Sequence, residues 1–172
     1  MLYQTYYDAP IGRLTLTSDG EALTGLYLPN QTNEDTEADA FVNQASLPIF
    51  QQSRRWLDRY FAGQEPETHL PVKPSGTPFQ ERVWRILQEI PYGTLWTYGE
   101  IAKRIAKETG KDRMSAQAVG GAVGRNPISI VIPCHRVVGA NGNLTGYGGG
   151  IDNKIKLLTY EHVDMRGLHQ PH

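Results

Sequence analysis

Between Ala62 and Gly76 the chain places Gly63, Pro66, Pro71, Pro74 and Gly76. No regular helix runs through such a stretch, because each proline fixes φ and removes a backbone donor. The 172 residues are therefore expected to form two units, a front half of residues 1–74 and a back half of residues 75–172. Together they are long enough to bury a core without disulfides or a structural metal. A single cysteine, Cys134, rules out an intramolecular disulfide and a Cys-rich zinc site, and frees the fold from an oxidising compartment. No run of 18 apolar residues is present, so no helical membrane span is expected. The start, MLYQTYYDAPIGRL, lacks the basic segment and apolar core of a signal peptide. A cytoplasmic location follows as the expectation.

The front half reads as an α/β unit. Residues 1–28 carry short β-prone runs, and Asp19-Gly20 between two of them is a hairpin signal. Residues 29–47 are polar and read as loop. Trp56, Leu57, Tyr60 and Phe61 recur at helical spacing, which predicts a helix over Phe50 to Phe61.

The back half reads as mainly helical. Thr77-Pro78-Phe79-Gln80 has the form of a capping box with proline at the first helical position. Phe79, Val83, Ile86, Leu87 and Ile90 continue it as an apolar stripe. Thr97 and Glu100 suggest a second capping box, opening a helix that runs to about Lys107. Ser115 to Gly124 (SAQAVGGAVG) predicts a third helix built almost wholly of small residues, ending before Pro127. The last two form a candidate helix-turn-helix. Ile128 to Ile132 reads as a short buried strand or extended segment, Gly146 to Gly150 as a loop, and Asp152 as the cap of a final helix carrying Ile155, Leu157, Leu158 and Tyr160 inward. Past Val163 the chain reads as frayed.

Two features point toward chemistry. Cys134 adjoins His135 at the end of an apolar run. A thiol of ordinary pKa is only a few per cent ionised near pH 7, so a nucleophilic cysteine needs a base or a positive field beside it. His135 is the nearest base, and Glu161 on the last helix is a candidate to orient it. A lone cysteine is also often just a small buried hydrophobe, and adjacent side chains need a turn or a bridging water to communicate. The small-residue helix is the second feature. Two central glycines cost about 1 kcal/mol each, which fits either close helix packing or a large partner against Ala118 and Gly121. Net charge is −1 overall, but residues 1–74 hold 5 Lys+Arg against 10 Asp+Glu, while residues 75–172 hold 12 against 8. The basic back half, with Arg104, Lys107, Lys111, Arg113, Arg125 and Arg136, suits an anionic partner. The glycine loop lacks the pattern of a phosphate-binding loop, and His169 and His172 read as solvated tail residues rather than metal ligands.

The string NPISIVIPCHRVV over residues 126–138 resembles the O6-alkylguanine-DNA alkyltransferase family, also called methylated-DNA–protein-cysteine methyltransferase. TPFQERVW at 77–84, IPYGTLWTYGEIA at 90–102, AVGGAV at 118–123 and TGYGGG at 145–150 extend the likeness over roughly residues 75–162. The resemblance implies a ribonuclease-H-like α/β front domain and a winged helix-turn-helix back domain. It implies single-turnover repair, in which the alkyl group of O6-alkylguanine, or of O4-alkylthymine, passes from a flipped base to Cys134. His135 would deprotonate Cys134 through a water and Glu161 would support His135. Asn126 would tie the recognition helix to the acceptor segment. Tyr98 would turn the target's 3′ phosphate and protonate guanine. Tyr147, Gly148 and Gly149 would close over the base, with Gly148 standing where many members have serine. Ala118, Gly121, Arg125 and Arg136 would lie at the DNA. Gln117 occupies the position of the arginine that the family inserts into the base stack, and one of Lys107, Lys111 and Arg113 on the longer connection, or Arg125, is expected to offset that loss in part. The implied partner is double-stranded DNA containing alkylated guanine, met through the minor groove by a monomer, without metal or cofactor. A turning-over cysteine hydrolase, a non-enzymatic damage sensor and a plain transcription factor are the rival readings.

Overall fold

The computed structural model describes residues 2–31, 41–144, 147 and 150–169. In the front half, β1 (Leu2–Ala9) turns through Pro10 and Ile11 into β2 (Gly12–Ser18), with Ala9 opposite Gly12. Gly12 sits at φ 121°, and a Cβ there would lie 2.6 Å from the Pro29 ring, so the turn requires glycine. β3 (Leu23–Tyr27) pairs antiparallel with β2 across the Asp19-Gly20 turn. β4 (Phe41–Asn43), inside the segment read as loop, adds parallel to β1 and gives the order β3-β2-β1-β4. Three residues are too short for a period-2 signal, which is why the sequence reading passed over it. α1 (Pro48–Phe61) packs on the sheet. Tyr7 donates to Asp58 at 2.5 Å and Arg54 to Thr5 at 2.9 Å.

The back half holds α2 (Pro78–Leu87), β5 (Trp96–Thr97), α3 (Tyr98–Thr109), α4 (Ala116–Gly124), β6 (Val137–Val138) and α5 (Ile151–Tyr160). Thr77 and Gln80 cap α2 reciprocally, as the box predicts. At α3 only half of the expected box forms: Thr97 accepts from the Glu100 N–H. Gly110, at φ 68°, takes the left-handed conformation that ends α3 and sends the chain toward α4. Trp84 Nε1 donates to the Ala122 carbonyl at 2.8 Å and locks α2 to α4. β5 and β6 form a small parallel pair.

Three further expectations change. Asp152 lies in the first turn of α5, whose cap is Gly150 with no side-chain hydrogen bond. The tail is not frayed as far as 169: Leu144 N–H donates to the His169 carbonyl at 2.8 Å, and Leu168 packs on Val138, Leu144 and Leu158. Ile128 to Ile132 is a turn, treated below. No helix among the described residues is long and apolar enough to cross a membrane.

One apolar core runs through both halves, joining Leu14, Leu26, Leu57 and Tyr60 to Val83, Ile101, Val123 and Leu157. The outer edge of β3 receives two other segments. Leu23 pairs with Val72 from the Pro/Gly stretch, and Leu26 pairs with Ile128 from the back half. Leu26 N–H donates to the Pro127 carbonyl at 2.9 Å, and Ser129 N–H to the Leu26 carbonyl at 3.0 Å. The front sheet thus anchors the segment that leads into Cys134.

Candidate active site

The chain from Asn126 to Arg136 is wound by one side chain. The Asn126 amide accepts from Ile128 N–H at 3.0 Å and donates to the Ile132 carbonyl at 2.8 Å. These bonds stand in for a strand ladder, so the segment Ile128 to Ile132 folds back on itself: Ile132 N–H reaches the Ile128 carbonyl at 3.0 Å. Ile130 is held at φ 70°, a conformation costing a β-branched residue about 1–3 kcal/mol, sustained only by such surroundings. The sequence reading of a strand failed because alternation and burial do not report which group a backbone carbonyl meets. Cys134–Arg136 then forms a single 3-10 turn, which sets the three neighbouring side chains on different bearings.

His135 and Glu161 are fully enclosed and directly hydrogen-bonded, Nε2 to Oε2. Glu161 lies at the end of α5. Its Oε2 also accepts from the Tyr60 hydroxyl at 2.7 Å, and its Oε1 accepts from Arg136 Nε at 2.7 Å and Gly93 N–H at 3.1 Å. Burial alone would raise the carboxyl pKa, but His135 and Arg136 reverse that and hold it well below the usual carboxylate range. The carboxylate accepts from Nε2, so the neutral ring carries its proton there and presents a bare Nδ1. That Nδ1 is buried with no hydrogen-bond partner among the described residues. Burial holds His135 below its ordinary pKa, against the opposing pull of Glu161.

Cys134 is 5% exposed. Burial pushes its thiol up, while the Asn126 amide, the Lys154 charge and the backbone N–H groups of Cys134 and His135 favour the thiolate. Lys154 was not singled out from the sequence. It is fully buried, donates to the Val137 carbonyl at 2.5 Å, and lies 5.9 Å from the centre of the Tyr147 ring. Burial lowers its pKa to about 8, with Cys134 acting in the opposite direction. The available signal was spacing: Lys154 sits two helical turns before Glu161, on the stripe that carries Leu157 and Leu158 inward. Tyr60 was read only as a core residue of α1; its signal was a polar tip on an otherwise apolar stripe.

Tyr98, in the first turn of α3, is pushed up to about 12 by burial and by the nearby Cys134 charge. It therefore stays a proton-bearing phenol. Tyr147 is held well above its ordinary value by burial and Cys134, and its hydroxyl has no hydrogen-bond partner among the described residues. Gly148 and Gly149 lie outside the described residues.

The exposed face of α4 carries Gln117, Ala118, Gly121 and Arg125. A Cβ built on Gly121 or Gly124 would meet nothing within 4 Å, so close internal packing does not account for these glycines. Gly120 does face a neighbour, the Tyr98 ring at 3.8 Å. Lys107, Lys111 and Arg113 are exposed. Arg136 requires a correction. Instead of facing phosphates it is buried, bonded to Glu161 and, at 2.8 Å, to the Ile90 carbonyl, with its guanidinium 5.8 Å from the Tyr92 ring centre. A buried carboxylate draws in a cation that sequence alone assigns to the surface.

Residues 2–74 match the profile of the 6-O-methylguanine DNA methyltransferase ribonuclease-like domain, and residues 78–163 that of the 6-O-methylguanine DNA methyltransferase DNA binding domain. The chain is 45% identical over 163 residues to the methylated-DNA–protein-cysteine methyltransferase of Haemophilus influenzae, covering 94% of this chain and 87% of that one. It is 46% identical to the protein of the same name from Mycolicibacterium paratuberculosis, covering 90% and 88%. Among solved structures, the Mycobacterium tuberculosis O6-methylguanine methyltransferase superimposes with a TM-score of 0.80 at 43% identity, covering 94% and 93%. Mycobacterium tuberculosis OGT in complex with DNA gives 0.78 at 43% identity, covering 92% of each chain.

Proposed function

The chain belongs to the 6-O-methylguanine DNA methyltransferase family, and from that premise we propose that Cys134 is the atom on which its reaction ends. The activity is DNA repair by transfer of an alkyl group from DNA to a cysteine of the protein itself, and this chain has one cysteine. The architecture is the family's pair, a ribonuclease-like α/β domain and a helical DNA-binding domain; we draw the boundary between residues 74 and 75. The substrate is double-stranded DNA bearing O6-alkylguanine, and also O4-alkylthymine, bound by a cytoplasmic monomer through the minor groove. The open face of α4, with Gln117, Ala118, Gly121 and Arg125, lies against it. Lys107, Lys111 and Arg113 add cations beside Gln117, which is itself uncharged.

The unpartnered Nδ1 of His135, buried in the turn that holds Cys134, is the observation behind the mechanism. The Cys134 proton passes through one water to Nδ1, and Glu161 stabilises the resulting imidazolium. Lys154 and the Asn126 amide stabilise the thiolate. An alkylated base pairs poorly and leaves the stack at reduced cost. With Cys134 nearly enclosed, the base reaches it once Tyr98 and Tyr147 give way. Sγ attacks the alkyl carbon in line, the S–C bond forms, and the C–O6 bond breaks. The electron pair goes to guanine, which takes the Tyr98 phenol proton. The proton held on His135 restores the phenol by way of solvent. The thioether offers no electrophile to water, so each molecule reacts once.

The test is intact-protein mass after mixing with a duplex containing O6-methylguanine. The expected result is a gain of one methylene, mapped to Cys134, with one equivalent of lesion consumed. Cys134→Ala is expected to gain nothing while still binding DNA. An unchanged wild-type mass, or consumption of many equivalents, rejects the assignment; the second outcome is what a cysteine hydrolase would give.

A further inference from the structure

We propose that Tyr60, from the front half, is a positioning residue for alkyl transfer: it shares the Glu161 carboxylate with His135 and limits how strongly that carboxylate draws a proton onto the ring. This rests on the assignment of Cys134, His135 and Glu161 above. Tyr60 is fully buried on α1. Its ring lies parallel to Trp56 with centroids 5.6 Å apart, meets Phe61 edge-on at 5.2 Å, and meets His135 edge-on at 6.4 Å. A phenylalanine would fill the same space with the same ring contacts, so packing does not call for the hydroxyl. A buried hydroxyl is unfavourable unless it is bonded. This one stands 2.7 Å from Glu161 Oε2, and at 3.3 Å from both His135 Nε2 and the Leu157 carbonyl. It has one proton to give, and the shortest contact, to an ionised acceptor, is the strongest.

The consequence follows from the oxygen chosen. Oε2 is the oxygen that His135 Nε2 already uses. An oxygen accepting two hydrogen bonds holds less charge for each donor, so the imidazolium is stabilised less than by an unshared carboxylate. The groups acting on the ring are Glu161 and Lys154 from α5, Tyr60 from α1, and its chain neighbour Arg136. Tyr60 is the member of this set supplied by the front half, so the front sheet and its helix take part in setting the basicity of a histidine in the back half. The phenol is itself pushed well above its ordinary pKa by burial and by Glu161, and remains a donor throughout.

The experiment is the rate of methyl transfer from O6-methylguanine duplex across pH, and in parallel the labelling of the sole thiol by iodoacetamide. Three proteins are compared: wild type, Tyr60→Phe, and the full chain with 3,5-difluorotyrosine at position 60. Losing the hydroxyl frees Oε2 for His135, so the acid limb of both profiles is expected to move up by about half a pH unit, with a rate loss of less than about twofold at neutral pH and about threefold on the acid limb itself. Fluorination makes a stronger donor at nearly the same volume and is expected to move the limb down. Profiles of unchanged shape, whether or not lowered uniformly, overturn the proposal and leave Tyr60 as core packing. Should Tyr60→Phe not fold, the fluorinated protein decides by the same criterion. A wild-type protein that takes up no methyl group fails the preceding section instead, and the iodoacetamide profiles still test Tyr60.

Discussion

The two sides of the His135 ring are built on opposite plans. On the Nε2 side, Glu161 has both oxygens filled, by His135, Tyr60, Arg136 and the Gly93 N–H. Away from that carboxylate, His135 Nδ1 and the Tyr147 hydroxyl are buried without hydrogen-bond partners among the described residues, and the Cys134 thiol, close to Tyr147, is pushed up by burial. Buried polar atoms are normally satisfied, and an unsatisfied one costs about 1–3 kcal/mol. The difference teaches where the molecule is finished and where it awaits a reactant. The closed side holds the ring still and sets its tautomer, and under the proposed mechanism the open side is where bonds change.

The closed side breaks most severely by Glu161→Gln. A neutral amide cannot stabilise imidazolium and leaves Arg136 as a buried, uncompensated charge. The loss is expected to be about 3–5 kcal/mol in chemical denaturation and about a hundredfold or more in transfer rate. Acid sharpens the same contrast. His135 has a folded pKa below its ordinary 6.5, so as pH falls the unfolded chain takes up that proton first. Stability should therefore decline as pH drops below about 6.5, by at most about 1.4 kcal/mol per unit from this group. Glu161, depressed in the fold, adds a second loss below about 4.3, absent in Glu161→Gln. Urea midpoints measured from pH 8 to pH 3 would reveal both steps, and a flat profile would refute the burial asymmetry.

On the open side, Lys154→Met removes a positive charge from beside the thiol. Thiol labelling and methyl transfer at neutral pH are expected to fall about tenfold, with both profiles displaced to higher pH. Equal rates would mean that Lys154 serves only the Val137 carbonyl. The smallest stability effect is expected for Tyr147→Phe. Its hydroxyl has no well-formed hydrogen bond among the described residues, although the Ser129 and Cys134 side chains lie near it, so denaturation should register a change within about 1 kcal/mol. A clear destabilisation would mean that the open side is more satisfied than its geometry indicates.

Much of this architecture was legible from local signals. The capping box at Thr77, the hairpin at Asp19-Gly20 and the helix of Trp56 to Phe61 are short-range physics, and each appears where it was expected. Cys134 and His135 were legible as neighbours, and Glu161 as a partner on the last helix. Long-range compensation was not. Arg136 reads as a surface cation until a buried carboxylate is known to lie opposite. Lys154 reads as a polar residue until its stripe is found to face inward. Ile128 to Ile132 reads as a strand because four β-branched apolar residues around one serine do not disclose an asparagine amide that occupies their backbone groups. Tyr60 needs both halves assembled before its hydroxyl has any address.

The pairing of Leu26 with the turn before Cys134 has one more effect. A sheet margin with bare N–H and C=O groups is a template on which other chains can add. Here β3 is sheathed by residues 71–73 on one stretch and 127–129 on the next, while the opposite margin, β4, spans only three residues. The bonds that shape the turn before Cys134 therefore also cover a sheet margin that would otherwise be open to added strands, and a substitution that loosened that turn is expected to promote aggregation.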